Sequence, residues 1–367
     1  MIVLVIGANG FIGKNLVTRL QELGIAVEIF TRKNSPESLP DILLKVDFII
    51  HLAGENRPLD EKDFDIVNAG FTMSLSKALR QINRPIPIIF SSSIQASFNN
   101  SYGKSKLKAE KILKKLEIDV GNILYIFRLP GVFGKWCKPN YNSVVATFCH
   151  NISHNLPIQI NDPSSSLKLV HVDDVVKKFI SIIQGKLVNN KEVSVKPEYS
   201  ISIGELAKQI KRFHDSRNSL ISERLGAGFK GKLYSTYASY FSPKHFSYPI
   251  PSFVDDRGVF SEVFKTKDSG QFSFFTSEPG VIRGRHYHHF KTEKFLVISG
   301  KARFRFRNII TNESHEIFNS EGKLEIIETV PGWSHEIANI GKEKMIVMLW
   351  ANEIFDHNKS DTIPFDV

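Results

Sequence analysis

Cysteine is nearly absent: Cys137 and Cys149 are the only two among 367 residues, and both fall in one segment. That scarcity excludes a disulfide framework and a cysteine-based metal cluster, and a reduced, cytoplasmic setting is the expectation. No apolar run reaches the ~18 residues of a membrane span, so no membrane partner is expected. The apolar start, Met1 to Ile6, has no basic flank and no small-residue cleavage site, so it reads as a strand and not as a leader. No helix-turn-helix, zinc-finger or aromatic RNA-binding pattern accompanies the net charge of +10. Its basic residues are dispersed, with faces at Lys104–Lys115 and Lys177–Lys178, so no nucleic acid partner is expected. An apolar share of 42% and a charged share of 23% are those of a globular chain, whose length calls for two domains.

What is present begins at residue 2. Ile2–Ile6 is a continuous apolar strand, followed by Gly7-Ala8-Asn9-Gly10-Phe11-Ile12-Gly13 and a helical pattern to Leu23. A glycine-rich turn between a buried strand and a helix lets backbone N–H groups approach a pyrophosphate, to which the helix N-terminus adds partial positive charge. Gly7, Asn9, Gly10, Phe11, Ile12 and Gly13 are therefore expected to bind a dinucleotide, bordered by Leu52 and Ala53 near the end of the strand Val46–Gly54. The second strand, Ala26–Phe30, ends in Thr31-Arg32-Lys33, and an arginine there suits the extra phosphate of NADPH. Glu28 stands near the position of an NAD-selecting acid but lies within the strand. NADPH is the expected cofactor. Strands at Ile86–Phe90 and Ile123–Phe127 alternate with helices at Asp63–Ile82 and Lys104–Leu116, which argues for an α/β doubly wound parallel sheet.

Ser93 ends one of these strands, and Tyr102 and Lys106 lie four apart on one helix face. A nearby ammonium and the positive nicotinamide ring of the cofactor both favour the phenolate, so the pKa of Tyr102 is expected to fall toward working pH. Tyr102 would then exchange a proton with a carbonyl or hydroxyl that Ser93 also binds. These residues resemble the extended short-chain dehydrogenase/reductase family. Further matching stretches are Phe90–Ser93, Tyr102–Lys106 with Glu110, Arg128–Gly134 and Val170–Asp174, over roughly residues 1–220. The family's sugar-nucleotide dehydratases carry Asp-Glu after the serine or threonine; Ile94-Gln95 stand here, which argues against water elimination. The segment Trp136–Ile160 lies where such enzymes bind substrate. Gly226–Pro251 is rich in glycine, tyrosine and serine, and its aromatics imply a packed connector; domains of 1–245 and 246–367 are expected.

Beyond residue 245 the pattern becomes all-β, with period-two runs at Phe272–Phe275, Lys294–Ile298, Ala302–Phe306, Leu324–Ile327 and Met345–Trp350. His286 and His288 point to one face of a strand; Glu293 and His335 can complete a four-ligand set for a borderline divalent metal. The spacing from Gly280 to Gly300 and the stretch Pro331–Asn339 resemble the two metal-binding motifs of the cupin superfamily. Asp256–Glu262 and Arg283–Tyr287 resemble nucleotide-sugar 3,5-epimerases, also cupins, in which the corresponding histidine, here His286, removes a proton beside a ketone. Base and metal ligand are thus competing assignments for His286, and Arg283 and Arg285 are candidates to stabilise an oxyanion.

Over its full length the chain resembles the bifunctional capsular polysaccharide synthesis enzyme F family, in Phe133–Asn142 and Glu293–Gly300 as well. That resemblance implies a UDP-linked, N-acetylated 4-keto-6-deoxy sugar as substrate, epimerisation at carbon 3 in the cupin and NADPH reduction at carbon 4. It further implies a UDP-N-acetyl-6-deoxy-talosamine product, a precursor of N-acetyl-L-fucosamine, together with a zinc ion and a homodimer. The alternative is a redox-neutral nucleotide-sugar 4-epimerase with bound NAD and a non-catalytic sugar-binding or dimerisation cupin.

Overall fold

Every residue of Ile2–Ile6 (β1) is apolar because helices cover both faces of the sheet in which it is an interior strand. In this computed structural model, which describes residues 1–186, 193–356, 358 and 360–367, β1 lies between two parallel neighbours. The sheet runs Ala26–Phe30 (β2), β1, Phe48–His51 (β3), Ile88–Ser93 (β4), Leu124–Leu129 (β5), all parallel. One apolar cluster joins the sheet to helices Phe11–Glu22 and Val172–Ile183 through Leu16, Leu20, Val175 and Phe179. A second, with Leu75, Leu79 and Leu113, covers the other face with helices Phe71–Ile82 and Ser101–Val120. Each such fully buried side chain stabilises by roughly 1.5–3 kcal/mol. The strand order places the carboxyl ends of β1 and β3 at the switch point, where ligands of such sheets bind. A smaller sheet of Gly131–Phe133 (β6), Ser166–His171 (β7) and Tyr199–Ser202 (β8) lies in the same unit.

The helix expected over Asp63–Ile82 is interrupted. A short turn, Lys62–Phe64, passes into a π-helical turn, Asp65–Gly70, before the α-helix Phe71–Ile82. The wide turn turns Asn68 inward, where it binds the backbone of Glu55 (2.8 and 3.0 Å) and Ser105 Oγ (2.9 Å).

The chain divides into Met1–Lys211 with Gly231–Phe241, and Arg212–Lys230 with Ser242–Val367, so it changes unit within two helices as well as near residue 241. The aromatic connector is largely a helix, Gly228–Ala238, with Leu233 and Tyr237 buried.

The second unit holds two mainly antiparallel sheets. One runs Ser252–Asp255 (β10), Gly258–Thr266 (β11), Gly270–Ser277 (β12), Met345–Ala351 (β19), Glu293–Ser299 (β14), Ile327–Glu328 (β17), with Ile221–Ser222 (β9) beside β11. The other runs Ser314–Ser320 (β16), Lys301–Asn308 (β15), Trp333–Asn339 (β18), Ile282–Tyr287 (β13), Ile363–Pro364 (β20). Phe275, Phe295, Val297 and Val347 from the first meet Phe304, Phe306 and Ile337 from the second in one core. This is the expected all-β cupin fold. The strand expected at Leu324–Ile327 shrinks to Ile327–Glu328, because Leu324 and Ile326 face solvent and only Ile327 enters the core.

Candidate functional site

The N-terminal cradle is built by close approach. Gly7 has φ +88°, and a Cβ there would lie 2.7 Å from the Ala53 nitrogen; one on Gly13 would lie 2.3 Å from the Gly7 oxygen. Only glycine lets turn, strand and helix meet at these distances. The turn opens on a cleft of about 810 Å³ lined by Gly7, Asn9, Gly10, Phe11, Ile12, Gly13, Arg32, Leu52, Ser93, Tyr102 and Lys106. Ala53 is the exception among the residues expected to touch a cofactor: its backbone packs behind Gly7. Glu28 is exposed and outside the lining, whereas Arg32 lies within it. An open, glycine-walled cradle at a helix N-terminus fits a nicotinamide dinucleotide.

Ser93 ends β4, and the helix Ser101–Val120 starts eight residues later. Asn100 caps it, its Oδ1 accepting from the Gly103 N–H at 2.7 Å. A Cβ on Gly103 would fall 2.1 Å from the Gln95 oxygen, so this glycine seats the helix against the turn after Ser93. Tyr102 is thereby brought into a hydrogen bond with Ser93. Lys106 is buried, and its Nζ donates to the Ser91 oxygen at 2.6 Å and lies 4.4 Å from the Phe90 ring centroid. Burial pushes the Lys106 ammonium down to about 8, against the opposing pull of Glu110. Lys106 does not supply its share of the expected fall in the Tyr102 pKa. Burial raises it, the Ser93 hydrogen bond only partly opposing, and the Lys106 ammonium is turned to Ser91. Glu110 is buried; desolvation pushes it up, but Arg128 (2.9 and 2.7 Å) and Ser92 (2.5 Å) outweigh that and hold its carboxyl low.

The segment flagged after Gly134 does reach this cleft, with Trp136, Cys137, Lys138, Tyr141 and Asn142 in its wall. Glu55, which lies in no recognisable motif, ties it to the cofactor cradle. Its carboxylate meets Arg32 Nη2 at 2.8 Å and accepts from Tyr141 Oη at 2.9 Å. Behind Tyr102 a polar recess of about 380 Å³ is lined by Asn56, Glu61, Gln95, Asn100 and Asn142 among others, groups suited to sugar hydroxyls and amides.

In the second unit His286, His288, Glu293 and His335 offer one donor atom each, all within 4.8 Å of one another. His286 and His335 face each other across β13 and β18. A β-bulge between Gly284 and His286 sets this up, with Arg285 at φ +62°. Opposite Arg283 stands Ile337 and opposite His286 stands His335, both inward, so the extra residue brings Arg283 and His286 to the same face three positions apart. Arg283 accordingly packs its guanidinium over Phe275, 5.1 Å from the centroid. Arg285 leaves the proposed oxyanion pair. It binds Glu336 Oε2 at 3.1 Å, a buried carboxylate that also faces Arg305 at 3.3 Å and Arg303 at 3.7 Å. That ion cluster holds a backbone conformation costing about 1–3 kcal/mol.

Glu293 is buried; desolvation raises its pKa, but His288 and His335 hydrogen bonds and Lys291 outweigh it, so it lies well below the usual carboxylate range. Burial, then His335, hold His286 down to about 4. His288 gives its Nδ1–H to the Asp361 carbonyl, which fixes the ring with Nε2 3.2 Å from Glu293 Oε2. The Asp361 carboxylate accepts the N–H groups of His289, Phe290 and Lys291 at 3.0, 2.7 and 2.9 Å. Three imidazoles and one carboxylate in a buried, compact group fit a divalent ion such as zinc. Sequence spacing pointed to all four donors but to neither Asp361, which is 73 residues from His288, nor the buried Lys291.

Comparison with known proteins agrees with this geometry. The profile of the NAD dependent epimerase/dehydratase family matches residues 3–195, and that of the polysaccharide biosynthesis C-terminal domain matches residues 253–363. A Pseudomonas aeruginosa protein named UDP-2-acetamido-2,6-beta-L-arabino-hexul-4-ose reductase is 54% identical over 99% of this chain and 98% of its own. The crystal structure of the capsular polysaccharide assembling protein CapF from Staphylococcus aureus superposes with a TM-score of 0.93 at 42% identity, covering 100% of both chains. A Thermotoga maritima UDP-glucose 4-epimerase, 18% identical, shares the N-terminal fold over 65% of this chain and 98% of its own, with a TM-score of 0.57. The chain belongs to the NAD dependent epimerase/dehydratase family, in the branch that carries a polysaccharide biosynthesis C-terminal domain behind the nicotinamide-binding one.

Proposed function

We propose that this protein is a two-site enzyme acting on a UDP-linked 2-acetamido-2,6-dideoxy-4-ketohexose. The cupin inverts carbon 3, and the N-terminal site then reduces the carbon-4 ketone with NADPH. The product is UDP-N-acetyl-6-deoxy-talosamine, a precursor of N-acetyl-L-fucosamine for capsular polysaccharide. The observation that carries the reading is full-length likeness to a ketosugar reductase in a chain that keeps Ser93, Tyr102 and Lys106 beside a dinucleotide cradle. A cytoplasmic homodimer is part of the proposal; among the described residues no helix is long and apolar enough to cross a membrane.

The ketone at carbon 4 acidifies the hydrogen on carbon 3, because the carbanion delocalises onto oxygen. His286 is a neutral acceptor for that proton only while it is not a metal ligand, since one lone pair cannot serve both. Arg283 is the inward-facing cation of the bulge and suits the developing oxyanion. Held by His286, His288, Glu293 and His335, a zinc ion would supply Lewis-acid polarisation.

For the reductive step the nicotinamide supplies hydride. Ser93 orients the ketone oxygen, and Tyr102 donates its phenolic proton to it. Lys106 stays fixed between Ser91 and the Phe90 ring, ready to favour the tyrosinate left after transfer. The raised pKa of the free Tyr102 suits an acid that must hold its proton until the ketone is bound. Arg32 would meet the additional phosphate of NADPH, and the polar recess behind Tyr102 would receive the acetamide.

The test is stoichiometric oxidation of NADPH by purified protein and the UDP-ketosugar. Tyr102→Phe should lower that rate by about 10²–10⁴-fold and leave carbon-3 epimerisation intact. Loss of both activities in this variant would argue against separate sites, and product formation without net NADPH consumption would favour the redox-neutral 4-epimerase.

A further inference from the structure

The barrel's four donor residues account for three imidazoles and one carboxylate, but the carboxylate has a further partner. Lys291 is buried, and its Nζ lies 2.8 Å from Glu293 Oε1. The two oxygens of Glu293 are thereby divided. Oε2 faces the histidine cluster, 3.2 Å from His288 Nε2 and 3.3 Å from His335 Nε2, while Oε1 faces the ammonium. A buried lysine is costly unless paired, and this one has few neighbours of the right kind: Glu293 and the Phe355 ring, 5.8 Å from its Nζ. Its position is also fixed from the main chain, because the Lys291 N–H donates to the Asp361 carboxylate that clamps residues 289–291.

We propose that Lys291 is a positioning residue for the barrel's metal set: it occupies Glu293 Oε1, so that Glu293 serves a divalent ion through Oε2 alone. This rests on the reading of the four residues as a metal site. Two consequences follow from chemistry. A carboxylate free at both oxygens can chelate a dication with both; one whose second oxygen is engaged by an ammonium gives one bond, leaving room on the ion for the oxygen of a small molecule. The ammonium also cancels the only negative charge in the set, so it weakens the site for a dication relative to the same set without it. Lys291 trades metal affinity for a set of four single donors whose coordination number can still rise to five.

Cobalt(II) is the probe, used with the full chain, because its visible absorption weakens as coordination number rises. The measurements are stoichiometry, affinity by chelator competition, and the spectrum. The parent should bind one cobalt per chain with a band of intermediate intensity. Lys291→Met should tighten binding about ten-fold or more, the scale of changes beside metal ligands, and weaken the band as Oε1 joins the ion. Lys291→Gln, which keeps a donor but no charge, should tighten binding yet retain the parental spectrum, and Lys291→Arg should restore both. Parental affinity and spectrum in Lys291→Met would overturn the proposal, as would tightening in Lys291→Arg equal to that in Met. Absence of stoichiometric cobalt in the parent and all variants would overturn the metal reading itself, and this inference with it. Thermal melting of each variant reports whether the barrel is folded; if Lys291→Met does not fold, the Gln and Arg pair carries the affinity comparison alone.

Discussion

Lys106 gives the account a prediction in which stability and activity move in opposite directions. Its side chain is buried, and burial lowers its pKa from 10.5 to about 8. At about 1.4 kcal/mol per pH unit, holding the ammonium in the fold costs about 3 kcal/mol relative to the unfolded chain. Replacing Lys106 with Met removes that cost and keeps an unbranched chain of similar length. It also leaves the Ser91 carbonyl without its 2.6 Å donor, a loss of about 1–2 kcal/mol. The variant should therefore be more stable than the parent by about 1–2 kcal/mol at pH 7, while ketone reduction is abolished. The pH dependence carries the sign. Below pH 8 both folded and unfolded lysine are protonated, and the full cost applies. Between about 8 and 10.5 the folded lysine is neutral while the unfolded one still binds a proton, so the parent gains stability as pH rises. The advantage of Lys106→Met should thus shrink and vanish by pH 10.5. Urea unfolding of the cofactor-free protein at pH 7, 9 and 10.5, followed by a probe in the N-terminal unit, measures it. A variant less stable than the parent at pH 7, or a difference constant across these pH values, would refute the reasoning.

Arg32→Ala should raise the KM for NADPH by about ten- to a hundred-fold, the scale of a lost charge-assisted phosphate contact, and leave that for NADH nearly unchanged; steady-state kinetics with both cofactors checks it. Glu293→Gln leaves Lys291 buried without its carboxylate, so the barrel should lose about 3–5 kcal/mol and the capacity of the proposed site to hold a divalent ion, read by calorimetry and metal analysis. Chelation of the unmodified protein separates the roles of His286: carbon-3 exchange that survives or quickens marks it as the base, and exchange that stops marks the metal set as the reacting centre.

Local features of the sequence carried much of this architecture. The β1 turn, the Tyr102–Lys106 pair and the period-two strands depend on neighbours within a few residues, so residue type and spacing sufficed to place them. The histidine pair and Glu293 were legible for the same reason. What escaped depends on register and depth. Nothing near Arg285 in the sequence signals that it is the bulge residue; the inserted position turns its guanidinium to Glu336 and brings Arg283 to the face of His286. Asp361 reaches His288 only through the closure of the barrel. The Tyr102 pKa went the other way because the sequence shows the proximity of Lys106 but not the burial of both side chains. Lys291, two residues before Glu293, was visible as a charge but not as a buried one.

The central claim is that two sites of one chain act in order on one ketosugar. Proton NMR of the UDP-ketosugar in deuterated water with the full-length protein, first without NADPH and then with it, tests that order. The account predicts deuterium at carbon 3 before any cofactor is added, and an equivalent of NADPH oxidised afterwards to a product that retains the label. Reduction of the ketone by NADPH with hydrogen, and no deuterium, at carbon 3 would contradict it.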